Sequence, residues 1–419
     1  MIPEVLMRTG IIKKITALAL SCCLLLTACG GSDGASTETT IEGAVTVTDE
    51  SGSTVTDENG SAVTSIEGEE PEEMELVVGF IYPDKVESNT VSVLFEAARM
   101  QIEKVLGAET YYIEDVLVSQ FSEATDALVE KGCNVIVSCS NKFPNSISSE
   151  AKDAKDTRFI SFGGAQSAHN LWAFQGELFQ PAYVCGLAAA YNSTKGIIGV
   201  VADSSVVNCY GTINAFIQGA KELTGAKTDV RLNWSWGTND ETTKNAIDDL
   251  AAQGCDVIFA CTYSAYAVKY CETLGIKVIG TAYDMPVLAP NNYLTGCFYN
   301  FNTYLVDVLR TIRYGTEAPV IYNEGLSAGA VRLVSFSENC ADGTIDICDT
   351  LYQLCVDKKA RIFVGEIRDN YGNIRVEKGA VLNHAEIWTL EWLDGCVNAI
   401  SDFTVPVLEP AKSDLQIKE

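Results

Sequence analysis

The chain has 419 residues, and its 29 Lys and Arg stand against 56 Asp and Glu, a formal net charge of −27 at pH 7. So acidic a chain argues against nucleic acid and anionic lipid as partners, because both need basic patches. The length exceeds what one ordinary core supports and points to two lobes.

Residues 1–28 read as a lipoprotein signal peptide. Arg8, Lys13 and Lys14 precede an apolar run from Ile15 to Leu26, and Thr27 and Ala28 follow it. The run is too short for a spanning helix, which needs roughly 20 apolar residues. Leu26-Thr27-Ala28-Cys29 resembles the lipobox of bacterial lipoproteins. That resemblance implies a diacylated Cys29, anchored to the extracytoplasmic face of a cell membrane. Met7 opens a more ordinary signal, MRTGIIKKI, than Met1 does. Residues 30–75 hold thirteen Asp and Glu with no Lys or Arg. Such a stretch buries too little apolar surface to offset its ordering entropy, so 29–75 reads as a lipidated cysteine plus a disordered tether.

The chain holds fifteen cysteines, and Cys22, Cys23 and Cys29 belong to the leader. The twelve that remain are an even number in a secreted protein, which invites a disulfide framework. The local pattern argues for free thiols instead: no CxxC occurs, and most cysteines sit inside apolar runs. The stretch GCNVIVSCS (132–140) returns as GCDVIFACT (254–262), each copy after a segment with helical apolar spacing, 121–131 and 240–253. Six residues of strand span about 20 Å, so the two cysteines of one copy neither bond each other nor share a metal. They read as small packing residues in a helix–turn–strand unit used twice.

The other segments follow the same grammar. Strands are expected at 75–83, 157–164, 195–203, 228–236 and 277–284, and helices at 90–106, 181–192 and 213–225. Strands alternating with helices give an α/β fold: two Rossmann-like lobes with parallel sheets and an interlobe ligand cleft beyond the strands' carboxyl ends. His169 and His384 are the only histidines, and neither hydrolase elbow, Walker A loop, dinucleotide-binding glycines nor His-Glu-x-x-His occurs. No catalytic residue, metal site or cofactor is expected.

Several long segments resemble the Bmp/PnrA-like lipoproteins, substrate-binding proteins of ABC importers with the periplasmic-binding-protein type I architecture. They are FQPAYVCGLAAAYNSTKGIIGVVAD (179–203), INAFIQGAKE (213–222), WSWGTNDETTKNAIDDLAAQGCDVIFACT (234–262), GIKVIGTAYDM (275–285), LTGCFYNFNTYLVDVLRTIRYGT (294–316) and 363–397. The resemblance implies lobe 1 at 76–193 and 294–323, lobe 2 at 194–293 and 324–409, and a tail at 410–419. It also implies a purine nucleoside or nucleobase captured by lobe closure and delivered to a permease and its ATPase. Ligand residues expected just past strand ends are Phe143, Phe174, Gln175, Glu177, Trp236, Asp284, Tyr299 and Asn300. After the first strand the chain keeps an acid, Asp84, but not the Asp-x-Ser-Phe-Asn-like motif of nucleoside-binding members. A surface lipoprotein that senses its ligand, or an importer protein for a sugar or other small polar solute, are the alternatives.

Overall fold

A computed structural model describes residues 73–204, 206–235, 239–281, 285–400 and 414–419, with Ala44–Thr46 and Thr64–Ile66 ahead of them. The leader, Cys29 and most of the expected tether lie outside these residues. The chain divides into two units, Met1–Glu70 and Pro71–Glu419. In the first, β1 (Ala44–Thr46) pairs antiparallel with β2 (Thr64–Ile66).

In the second unit the chain runs through β3 (Val77–Ile81), α1 (Thr90–Leu106), β4 (Glu109–Ile113), α2 (Phe121–Glu130), β5 (Val135–Ser138), α3 (Pro144–Asp153), β6 (Arg158–Phe162), β7 (Leu171–Gly176) and α4 (Phe179–Asn192). There follow β8 (Ile197–Ala202), α5 (Cys209–Thr224), β9 (Asp229–Trp234), α6 (Asp240–Ala252), β10 (Val257–Cys261), α7 (Ala265–Leu274), β11 (Lys277–Gly280), β12 (Tyr293–Tyr299) and α8 (Phe301–Tyr314). Next come β13 (Ile321–Glu324), β14 (Val331–Leu333), α9 (Thr344–Val356), β15 (Ile367–Arg368), β16 (Ile374–Val376), α10 (His384–Trp388) and β17 (Val397–Ala399).

Two sheets build the two lobes. The smaller has the order β13-β7-β6-β5-β3-β4 and the larger β14-β12-β11-β10-β8-β9-β17. Every pairing in them is parallel except β12 with β14. Helices on the faces hide the strands, which is why β5 and β10 are buried at every position. In each sheet the first strand lies between the second and third, β4-β3-β5 and β9-β8-β10, so each carries a switch point where strand order reverses.

The repeated Gly-Cys units occupy equivalent places. A Cβ on Gly79 of β3 would lie 3.2 Å from Cys133 Sγ, and one on Gly199 of β8 would lie 3.3 Å from Cys255 Sγ. Each thiol therefore fills the space left by a glycine in the neighbouring strand. All twelve cysteines among the described residues are unbridged. Burial pushes the Cys133 and Cys255 thiols up to about 12. Alkylation of the denatured, unreduced protein should find these twelve thiols free, and native protein should label slowly; a titration near zero would mean a disulfide framework.

Three boundaries differ from the sequence reading. Helix α4 was expected in lobe 1, but it packs on α5, whose Phe216 stacks on Phe259 of β10 at 4.3 Å. The first crossing therefore comes after Gly176, at the end of β7. Strand β12 hydrogen-bonds to β11 in the larger sheet, so the return to lobe 1 begins at Asn300 rather than at residue 294. Residues 414–419 are no loose tail: Lys418 exchanges two backbone hydrogen bonds, 2.9 and 2.8 Å, with Tyr112 on the edge strand β4.

Candidate functional site: the interlobe cleft

Because the strands are parallel, their carboxyl ends in both lobes look into one crevice, and the switch points bring four loops together there. Lobe 1 supplies Pro83 and Asp84 after β3, Cys139, Ser140, Asn141 and Lys142 after β5, and Phe162 at the end of β6; lobe 2 supplies Tyr263 after β10. The loops after β5 and β10 are the ones into which the two Gly-Cys copies run. The internal repeat thus marks both walls of the cleft.

The first turn of α1 is tied into the same place. Asn89 caps the helix, its side chain accepting from the backbone N–H groups of Val91 and Ser92 at 3.0 and 3.3 Å. The other end of the amide donates to Asp84 Oδ2 at 2.9 Å, which fixes the carboxylate at the cleft. Thr90 then reaches across: its N–H and its hydroxyl both donate to the Tyr263 carbonyl, at 3.0 and 2.9 Å. Tyr263 in turn accepts from the Val207 N–H through its hydroxyl at 2.9 Å. Burial holds that phenol far above its ordinary range, so it stays a neutral hydroxyl. These contacts describe a closed cleft. The void left among the lining residues is about 20 Å³, room for a single water, so a solute enters only as the lobes part.

The six described residues among those expected at the site do not gather there. Phe143 is fully buried, its ring 4.9 Å from Phe121 under α2 and α3. Phe174 and Gln175 lie within β7 rather than past a strand end. Phe174 packs in an aromatic core, 4.6 Å from Tyr304 and 5.7 Å from Tyr322. Gln175 is buried, its Nε2 without a hydrogen-bond partner. Tyr299 is also core, edge-on to Phe162 at 5.1 Å, with its hydroxyl 3.5 Å from the Val207 carbonyl. Asn300 serves the second crossing, donating to Gly329 O at 2.9 Å and to Thr303 Oγ1 at 3.0 Å. Glu177 bonds to His384 and Gln180 at the first crossing. Trp236 and Asp284 lie outside the described residues.

What the sequence reading missed was Tyr263, Asn89, Thr90 and the Ser140-Asn141-Lys142 turn. The signal was present, because all of them follow apolar strands or open a helix beside Asp84.

Two lobes, paired switch points and a shut cleft are the anatomy of a solute-binding protein, and the family model for PnrA-like ABC transporter substrate-binding proteins (Bmp) matches residues 75–369. The chain belongs to that family. A purine-binding protein of Brucella abortus is 28% identical over 316 residues, covering 74% of this Bmp chain and 87% of its own. A protein of Haloferax volcanii, provisionally described as an ABC transporter glucose-binding protein, is 23% identical over 240 residues, covering 57% of this chain and 61% of its own. The fold is that of a solved ABC transporter solute-binding protein from Aeropyrum pernix, at TM-score 0.59 and 13% identity over 70% of this chain and 93% of that one. Bmp proteins bind solutes outside the cytoplasm and work with a permease, and the family is not one of enzymes. Among the described residues no three His, Cys, Asp or Glu side chains gather to hold a metal ion, and no helix is long and apolar enough to cross a membrane.

Proposed function

We propose that this Bmp protein captures a purine nucleoside or nucleobase between its lobes and hands it to an ABC permease and ATPase, while held at the membrane by lipid on Cys29. The observation that carries the reading is the cleft lining. Phe162 and Tyr263 line the cleft, and base–aromatic stacking is worth about 1–3 kcal/mol. Asp84, fixed by Asn89, accepts hydrogen bonds from ribose hydroxyls or a ring N–H, and the Asn141 amide both donates and accepts. The resemblance adds Trp236 and Asp284 from lobe 2, a third ring and a second carboxylate. The purine-binding relative from Brucella abortus supports the same class.

Closure supplies the signal. Ligand that touches both lobes favours the closed form in proportion to its differential affinity for that form. No step of chemistry on the ligand is required.

A sugar is the second reading, favoured by the Haloferax volcanii relative and by the fact that rings and carboxylates also suit sugars. Calorimetric titration with adenosine, guanosine, inosine, their bases and glucose separates the two. Saturable binding of a purine supports the proposal; binding of glucose with no heat from any purine overturns it.

A further inference from the structure

The turn after β4 carries two successive acids, Glu114 and Asp115, and both brace the cleft from behind. Glu114 Oε2 accepts from the Val86 N–H at 3.2 Å, and the Asp115 carboxylate accepts from the Lys85 N–H. Lys85 and Val86 lie in the short loop between Asp84 and Asn89, the pair fixed to each other at the cleft. Thr90, which reaches Tyr263 in the other lobe, comes next. The loop has little structure of its own. Val86–Ser88 is one 3-10 turn, and its internal bond is Ser88 N–H to the Lys85 carbonyl at 3.0 Å. The donors at Lys85 and Val86 therefore depend on acceptors from elsewhere in the chain.

The other oxygen of Glu114 is held from far along the sequence. Segment 414–419 runs antiparallel to β4 where Lys418 and Tyr112 exchange backbone hydrogen bonds, and Leu415 packs on the core under α2 and α3. In that register Lys418 Nζ bonds to Glu114 Oε1 and lies 5.7 Å from the centre of the Tyr112 ring. The Glu114 side chain is only 14% exposed. Burial alone would raise its pKa, but Lys418 and the Val86 N–H hold the carboxyl below its usual range. An ionised carboxylate only accepts, and each oxygen here takes one of these two donors.

We propose that Lys418, acting through Glu114, is a positioning residue for the cleft: it aims the carboxylate that holds Val86, and so fixes the loop presenting Asp84 and Thr90. Without the ammonium, a largely buried carboxylate is left short of a donor, which is costly. Relief comes from turning out to water, and that movement strips the Val86 N–H of its acceptor. Asp115 keeps its hold on Lys85, so the loop loosens while the sheet behind it stays intact.

The test needs no ligand, so its failure and that of the purine reading are separate events. Hydrogen exchange of the full chain reads three amides at one pH: Val86 for the brace, Thr90 for the bond across the cleft, and Tyr112 for docking of segment 414–419. In Lys418→Met, protection of Val86 and Thr90 should fall several-fold while that of Tyr112 is kept. Lys418→Arg, which restores a cation, should recover both. In a Glu114→Gln background, Lys418→Met should have no further effect on either amide. Unchanged protection of Val86 and Thr90 in Lys418→Met overturns the proposal. A loss that Tyr112 shares overturns it too, because docking of the segment, rather than the ammonium, would then hold the loop.

Discussion

Replacing Gly186 by alanine should cost about 3 kcal/mol of stability, the upper end of the usual range for overpacking. Helices α4 and α5 cross with their backbones in contact: a Cβ on Gly186 would lie 1.7 Å from the Phe216 carbonyl oxygen, and one on Gly219 would lie 1.8 Å from that of Tyr183. Both obstacles are backbone, so no side chain can swing aside. The helices must move apart, and with α5 goes the Phe216 stack on β10. Urea unfolding measures the loss. Gly219→Ala should cost a similar amount, and the double variant less than the sum, because one separation relieves both clashes. A shift below about 0.5 kcal/mol for either single variant would show that the crossing is not rigid.

Asp84→Asn is the corresponding test of the cleft. The substitution keeps the shape and leaves an oxygen to accept from Asn89, so the fold should survive. It removes the charge. Hydrogen bonds to charged groups are worth about 1.5–3 kcal/mol, so ligand affinity should fall roughly tenfold to a hundredfold. The same calorimetric titration reads this, and an unchanged dissociation constant removes Asp84 from the site.

The sequence made the sheets legible because parallel strands buried on both faces are continuous apolar runs. β3, β5, β8 and β10 sit inside the segments read as strands, and α1 has the bounds assigned to it. LWAFQG (171–176) escaped because it has no β-branched residue and follows a glycine pair that reads as a loop. The lobe that α4 joins is decided by two glycines 33 residues apart, a pairing no local pattern announces.

The site was half legible. Proximity to a strand end was the rule used, but it says nothing about which way a side chain turns. Phe143, Phe174 and Tyr299 all lie near strand ends and all turn into the core. The repeat was the better guide, since the loops after its two copies hold Asn141 and Tyr263. The Glu177–His384 contact spans 207 residues, and its charges gave no sign of it in the sequence.

The most direct measurement is hydrogen exchange of the full chain with and without the purine that binds best in the titration. Protection should rise together in 82–92, 139–143 and 261–265, the loops of both lobes that form the cleft. Protection in one lobe alone, or confined to residues around Glu177 and His384, would contradict capture between the paired strand ends.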